Sequence, residues 1–441
     1  MKESYFHNKN NPNAAVPGNS LSKVSEKGAV GGDLIASLSM GLYSNPLEIY
    51  RELVQNATDA YQINGTPPRN RHIDIQIDRI NRKVALRDYA TGLSANEITK
   101  SLFTIGNSRK RGKQLRGFRG VGRLAALGYC KELVFRSRKS ATEPVWQLTW
   151  DSVALHRYLN QPDGSDISQI LKTISTVSQL KDNKEWPKRF FECELNGVRA
   201  SKNDVILNSD AVSTYLSEVA PIGFRTDFSF AKDIYAILGK EVAFEVKIFI
   251  NGNEESLTRP HRDELLSALD QKKIITTVDR VVPISELDDG FEMMAKGWIL
   301  HHDYPGALPQ SSSIRGLRIR VGNIQVGDER TLEHLFKEPR FNGWCIGEIH
   351  IVSPNIRPNT RRDNLELCPA LDDLENSLRT LAKNLTQTCR DKSAARNQRI
   401  KNNHKTLSVS KTRYREITKQ LRLALPLPNK LTLYPKNRTG D

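Results

Sequence analysis

The stretch "SNPLEIYRELVQNATDAYQ", residues 44–62, most limits what this chain can fold into, because it predicts one well-defined amphipathic helix. Asn45 is placed to cap the helix, and Pro46 stands at its first position, where the missing N–H leaves no hydrogen bond unmade. An apolar stripe then recurs at helical spacing, formed by Ile49, Leu53, Ala57 and Ala60. The stripe predicts one buried face along the whole helix.

Three polar residues form a line beside that stripe. Glu52, Asn56 and Asp59 are four and then three positions apart, which places them on one side of the helix. On a helical wheel, Asn56 falls at the edge of the stripe and Glu52 and Asp59 lie just beyond it, whereas Arg51 and Gln55 point further away. The line is either a solvated face or the wall of a site, and the helix alone does not decide between them.

A carboxylate ends the second of two predicted strands. Isoleucines alternate with polar residues in "IDIQID", residues 73–78, and "KVALRD", residues 83–88, returns as its partner. Asp88 continues the buried face of this second strand, and buried carboxylates require donors. The donor is either an exocyclic amino group of a ligand or the amides of a local turn. Ala90, Thr91 and Gly92 follow, and these small residues would let a ligand approach the backbone.

A second helix is predicted at residues 93–103, where Ser94 and Glu97 are in capping-box register. A glycine-rich segment, "GFRGVGRLAAL", follows it in the sequence. Gly117, Gly120 and Gly122 precede a short helix, and backbone amides at such a position favour phosphate. The segment does not follow a strand and lacks the G-K-[ST] sequence, so neither a Rossmann turn nor a P-loop is predicted. It is a flexible hinge loop or a lid over a nucleotide.

The pattern of strands and helices predicts two α+β domains. Residues 1–32 form a polar lead-in, residues 33–224 the first domain and residues 225–370 the second. The second domain is expected to begin with the strand "FEVKIFING". Residues 371–441 complete the chain with a helix near 370–389, a basic tail and a further helix near 411–425. No tract resembles a transmembrane span.

Charge is concentrated at the end of the chain. The 441 residues have a net charge of +16, and residues 390–441 contain fourteen lysines and arginines against three acids. The basic tail therefore makes nucleic acid a candidate partner. The five cysteines show no CxxC or Cys/His grouping, so the sequence predicts neither disulfides nor structural zinc and favours a reducing cytoplasm.

Three stretches in order, "RELVQNATDA", "RDYATGL" and "GFRGVGRLAAL", resemble the N, G1 and G2 boxes of the GHKL ATPases, which include gyrase B subunits, heat-shock chaperones, histidine kinases and mismatch-repair ATPases. "LYSNPLEIYRELVQNATDA" and "LFTIGNS" are similar to the ninety-kilodalton heat-shock chaperone branch. The resemblance implies an α/β-sandwich nucleotide domain (Bergerat type) that binds ATP with Mg²⁺ and hydrolyses it. One departure is Ala90, which stands where the G1 box usually has its first glycine.

The resemblance also implies roles for single residues. Glu52 would be the general base that polarises water, and Asn56 would hold Mg²⁺. Asp88 would accept from the adenine amino group, with Gly92 allowing close approach of the base. The phosphates would be covered by backbone amides of the loop that contains Gly117, Gly120, Val121 and Gly122.

"GLRIRVGNIQVGD" and "GEIHIVSPNIRPNTRRDNLE" resemble the middle, or transducer, domain of chaperone-like members. In that domain an arginine at the end of a loop reaches back to the γ-phosphate. Arg361 or Arg362 is the candidate here, and Arg357 fits the pattern less well. Alternatively, this is a charged loop in which Asp363 pairs with one arginine.

Three functions remain open at this level. The first is a chaperone-like ATPase that couples lid closure and homodimerisation of its nucleotide domain to action on a protein client. The second is a nucleic-acid-associated ATPase clamp of the gyrase, mismatch-repair or microrchidia kind, which the basic tail favours. The third is a non-catalytic ATP-sensing scaffold, against which Glu52 argues because a binder needs no general base. Histidine kinase activity is not expected, because no phosphoacceptor helix precedes the nucleotide domain.

Overall fold

The structure is a computed structural model, and the ranges it describes are residues 45–103, 124, 126–159, 167–181, 186–201, 203–266, 274–284, 287–288 and 292–424. Within these ranges the chain forms two mixed sheets, each packed against helices.

The first sheet has seven strands in the order β5-β4-β3-β6-β2-β1-β7 over the residues described. Neighbouring strands are antiparallel except for β1 and β7, which are parallel. The strands are β1 (His72–Asp78), β2 (Lys83–Asp88), β3 (Glu132–Arg138), β4 (Trp146–Asp151), β5 (Ser175–Gln179), β6 (Phe190–Asn196) and β7 (Lys247–Ile250).

Helices cover one face of this sheet. They are α1 (Glu48–Ile63), α2 (Ala95–Phe103), α3 (Ser152–Leu159), α4 (Ile167–Thr173) and α5 (Ser209–Val219). Their apolar residues join the inward-facing strand residues in a single buried cluster. The α/β-sandwich architecture predicted for the nucleotide domain is confirmed.

Local signals in the sequence account for how two of these helices begin. Asn45 Oδ1 accepts from the Leu47 N–H at 3.0 Å, and α1 then starts at Glu48, two residues later than predicted. At α2, Glu97 Oε2 accepts from the Ser94 N–H at 3.0 Å, as a capping box requires. Hydrogen bonding from Ser94 and the charge of Lys139 lower the pKa of Glu97 to about 2.

The second sheet has six strands in the order β12-β11-β13-β10-β9-β8 in the described part of the chain. They are β8 (Glu264–Leu266), β9 (Ile274–Ile284), β10 (Ala295–His302), β11 (Gly316–Val321), β12 (Ile324–Val326) and β13 (Ile346–Ile351). Helix α6 (Ala231–Leu238) packs against one face of the sheet. The opposite face is covered by α7, a 56-residue helix over Pro369–Ala424.

Two elements differ from the sequence-based expectation. The strand in "FEVKIFING", expected to open the second domain, is β7, and it pairs with β1 at the edge of the first sheet. The two helices expected near 370–389 and 411–425 are one continuous helix, α7. The first difference arises because pairing of distant strands leaves no local signal in the sequence.

A buried ionic network joins the two sheets. Glu348, on β13, accepts from Arg259 Nη1 and from Arg320 Nε at 2.6 Å each. The same two guanidiniums donate to the first domain: Arg320 Nη2 reaches Glu218 O at 2.6 Å and Arg259 Nε reaches Ile222 O at 2.8 Å. The carbonyls at the end of α5 and just after it are thereby tied to the second sheet.

Glu348 is the only acid on which both buried guanidiniums converge among the described residues. Burial alone would raise the pKa of Glu348, but the charges of Arg259 and Arg320 outweigh burial and hold that pKa well below its usual range. His350 Nε2 lies 3.0 Å from the same carboxylate, and burial lowers its pKa to about 4. The network is thus ionised and inaccessible to water, and removing one partner leaves charge uncompensated.

We expect Glu348→Gln to lower the free energy of unfolding by about 3–5 kcal/mol, because two buried guanidiniums would lose their counter-charge. Urea denaturation followed by far-UV circular dichroism measures this. The control is Glu333→Gln, whose partner Arg330 is 69% exposed, and its effect should stay below about 1 kcal/mol. Equal losses in the two variants would contradict the role given to Glu348.

Candidate functional site

Helix α1, which carries the predicted site residues Glu52, Asn56 and Asp59, is more deeply buried than the wheel predicts. Glu52 is 7% exposed and Asp59 is fully buried, whereas Asn56 is exposed. Arg51 and Gln55, expected to point away, are 4% and 1% exposed. The expectation for these two was wrong because other elements cover α1: the loop that contains Arg361 contacts Arg51, and α5 packs against the helix.

Glu52 meets an arginine from the second domain. Arg362 Nε lies 3.7 Å from Glu52 Oε1, and both side chains are about nine-tenths buried. The residues are 310 positions apart in sequence, and Arg362 sits at a backbone φ of +58° on the turn after β13. The Gly327 N–H donates to Arg362 O at 2.8 Å and fixes this turn to the end of β12.

Arg51 holds the same turn from the nucleotide-domain side. Its Nη2 donates to Arg361 O at 3.0 Å and to Glu48 Oε2 at 2.9 Å. Burial raises the pKa of Glu48 and the charge of Arg51 opposes that rise. Sequence reasoning missed Arg51. Its position directly before Glu52 was a signal, because successive residues of a helix point in different directions and can contact different elements. Arg51 therefore positions the loop that carries Arg362.

The other two arginines of this loop face differently. The Arg361 side chain is exposed, and only its carbonyl takes part in the contact with Arg51. Arg357 is also exposed and its Nε donates to Pro354 O at 3.0 Å. Of the three candidates, Arg362 alone is brought against Glu52 within the described residues. Asp363 does bond within the loop, but to the amide of Asn359, not to Arg361 or Arg362 in any contact described.

Asp88 and Gly92 lie where β2 ends. Asp88 is 4% exposed, and its Oδ1 accepts from the Ala90 N–H at 3.0 Å. A local turn thus uses one carboxylate oxygen. Ala90 is fully buried and outside the positive-φ region, so alanine is tolerated at the position where the G1 box usually has glycine.

Gly92 is required by its surroundings. Its φ is +58°, and an added Cβ would lie 2.1 Å from Arg138 O and 3.0 Å from Phe190 O. The turn after Asp88 therefore packs backbone against backbone on strands β3 and β6. This close approach fixes the position of the Asp88 carboxylate relative to the sheet.

Gly117, Gly120, Val121 and Gly122 lie outside the described residues, as does the rest of 104–123. Their assignment to the phosphates stays a prediction. The described chain ends at Phe103, the last residue of α2, and resumes near the 3₁₀ turn Ala126–Gly128.

The donor set suits a nucleotide with a magnesium ion. Asn56 is an exposed residue one helical turn after Glu52, and its amide oxygen is of the ligand type that Mg²⁺ prefers. Asp88 supplies a buried acceptor at the end of β2. No cluster of three or more His, Cys, Asp or Glu residues that could hold a metal occurs among the residues described. A magnesium ion here would take most of its ligands from phosphates and water.

Residues 45–182 match the family model described as Histidine kinase-, DNA gyrase B-, and HSP90-like ATPase. The match covers the first domain from α1 to just past β5 and so includes Glu52, Asn56, Asp88 and Gly92. The resemblance of this segment to the GHKL superfamily is confirmed, and the fold described above is that of a GHKL ATPase domain.

The relatives are bacterial chaperones. The chain is 25% identical over 174 residues to Chaperone protein HtpG of Rickettsia canadensis, which is 34% of this chain and 28% of that protein. HtpG of Coxiella burnetii is 26% identical over 174 residues, with 34% and 27% coverage. HtpG of Rickettsia typhi is 27% identical over 217 residues, with 40% and 34% coverage. The chain thus spans 28% of the length of the first of these relatives, so the similarity concerns one part of those chaperones.

We expect Gly92→Ala to abolish nucleotide binding and to lower the free energy of unfolding by about 2 kcal/mol or more, because the new Cβ overlaps Arg138 O. Gly65→Ala is a matched control: its φ is +60°, but an added Cβ there meets no atom within 4 Å. The control should lose about 1 kcal/mol from backbone strain alone and retain binding of a fluorescent ATP analogue. Similar behaviour of the two variants would show that close packing at Gly92 does not shape the site.

Proposed function

We propose that the protein is a Mg²⁺-dependent ATPase of the heat-shock-chaperone type, in which lid closure and homodimerisation of the nucleotide domain couple hydrolysis to action on a partner. The observation that carries the proposal is the contact of Arg362 with Glu52 across the two domains. A buried cation next to a buried carboxylate, at the end of a GHKL helix, suits a reaction in which negative charge develops beside a water molecule.

Each residue has a role in this proposal. Glu52 accepts the proton of the attacking water, and Asn56 holds Mg²⁺ through its amide oxygen. Asp88 accepts from the adenine amino group through its buried carboxylate at the end of β2, and Gly92 keeps the turn close to the sheet. The bound ion supplies charge neutralisation at the phosphates.

Arg362 is the proposed γ-phosphate sensor, with Arg361 as the alternative. The guanidinium of Arg362 lies beside the Glu52 carboxylate, so it can contact both the general base and the γ-phosphate that the activated water would attack. Arg51 acts as a positioning residue because it binds the Arg361 carbonyl in the second domain and Glu48 in the first. Movement between the domains would separate sensor from base, which is how turnover would follow conformation.

Dimerisation and a client protein remain proposals, as does the cytoplasmic location predicted from the cysteines. All five cysteines are free thiols, and four of them are buried. No described helix combines the length and the apolar character that crossing a bilayer requires. The alternative is a non-catalytic scaffold that senses ATP, and the next experiment distinguishes it from an ATPase.

We expect Glu52→Ala to bind ATP with near-wild-type affinity and to hydrolyse it at least about 100-fold more slowly, since a general base contributes on the order of 10²–10⁴-fold. Phosphate release measured with and without Mg²⁺, beside equilibrium binding of a fluorescent ATP analogue, tests this. Glu254→Ala, at an exposed loop position, is the control and should hydrolyse normally. Equal turnover in Glu52→Ala and the wild type would exclude the assignment.

We expect Arg362→Ala to lower kcat at least about tenfold, because the loss of a fixed cation removes stabilisation of charge in the transition state. Steady-state phosphate release gives kcat and KM, and a thermal melt verifies folding. Arg357→Ala, an exposed arginine of the same loop, should change neither parameter. If Arg361→Ala lowers kcat and Arg362→Ala does not, the sensor is Arg361 and the assignment to Arg362 is wrong.

A further inference from the structure

Helix α7 divides into an anchored part and an arm. From Arg390 to Arg396, its basic residues bind the body of the second domain. Lys392 Nζ lies 3.2 Å from Asp303 Oδ1, and Arg396 donates to Asp303 O at 3.2 Å and Tyr304 O at 3.1 Å. Arg390 forms an ion pair with Glu338. These contacts use the first basic residues of the predicted tail to hold the helix, so they are not available to a partner.

Beyond Arg396 the helix continues for 28 residues, 397–424, which we call the arm. At 1.5 Å per residue the arm extends about 42 Å. In sequence it contains eight lysines and arginines and a single acid, Glu416. Six of these cations have described side chains and all six are exposed: Arg399, Lys401, Lys411, Arg413, Arg415 and Lys419. None of the six forms an ion pair with another described side chain.

Four of the cations share one face of the arm. Lys411, Arg415 and Lys419 are spaced by four residues, and Lys401 is eighteen residues, or five helical turns, before Lys419. We call this row the cationic face. Ile400, Tyr414 and Ile417, which are 49%, 74% and 48% exposed, lie to one side of it. The arm is therefore not a uniformly charged rod but has one face on which positive charge is aligned.

We propose that the cationic face of the arm binds the phosphate backbone of duplex DNA. Aligned cations, with a single acid in the whole arm, match a polyanion whose phosphates recur along its backbone. The row spans eighteen residues, about 27 Å, or roughly four-fifths of a duplex turn of about 34 Å. A helix with its side chains is about 10–12 Å across and fits a major groove about 12 Å wide. The major groove of A-form RNA is too narrow for this approach.

Charge also argues against a second copy of the chain as the occupant. Two arms lying side by side would bring sixteen cations together against two acids, which opposes pairing. The inference does not depend on ATP turnover, because the arm lies apart in sequence from every residue assigned to the nucleotide.

The test measures fluorescence anisotropy of a labelled 30-base-pair DNA duplex with the full-length chain at several salt concentrations. The variant K401Q/K411Q/R415Q/K419Q removes the cationic face, and glutamine keeps helix propensity. We expect wild-type binding to weaken steeply with salt. In the variant, Kd at 100 mM salt should rise at least about tenfold, and the slope of log K against log[salt] should fall by about 3–4.

The control variant I400A/I417A removes apolar side chains and keeps every charge, so it should bind DNA as the wild type does. The proposal is overturned if the wild type shows no salt-sensitive DNA binding, if the charge variant binds normally, or if the apolar variant alone loses binding. Tighter binding of a 30-base-pair RNA duplex, or of anionic vesicles with no DNA binding, also overturns it. ATP binding and hydrolysis without DNA are measured for both variants, and failure of the proposed ATPase would appear there independently.

Discussion

The buried carboxylate of Glu348 between Arg259 and Arg320 is the interaction on which the rest of the structure depends. Each guanidinium bonds to Glu348 on one side and to a carbonyl of the nucleotide domain on the other. Glu348 lies on β13, and the chain leaving β13 forms the turn that carries Arg362. The ionic network therefore sets the position of Arg362, the sensor candidate. A shift of the second sheet would change the distance between Arg362 and Glu52.

In our proposal, the site is consequently assembled from residues of both domains. The proposed roles fall to Glu52 and Asn56 on helix α1 and to Asp88 at the end of strand β2. The loop after β13 supplies Arg362, while Arg51 binds that loop from the helix. A composite site of this kind connects chemistry to conformation, because relative movement of the domains changes the distance between base and cation.

The sequence predicted the parts of this arrangement with local signals. The capping of α2, the alternation in β1 and β2, and the three ordered motifs each depend on residues close together in the chain. The predicted strand register placed Asp88 on the buried face, and Asp88 is buried. The sequence-based predictions were wrong where the partners are distant in the chain. Strand β7 was expected in the second domain but joins the first sheet. Arg51 and Gln55 were expected to face solvent but are buried by contacts that a single-helix wheel does not contain.

The sequence by itself determined the class of domain, since residue types at fixed spacing on one helix, one strand and one loop are local and specific. It also determined the charge of α7. Only the tertiary structure decided which arginine meets Glu52 and which cations of α7 are already used by the body. Both depend on contacts between residues far apart in the chain, such as Arg362 and Glu52, and buried long-range pairs are fixed by packing and desolvation rather than by neighbours in sequence.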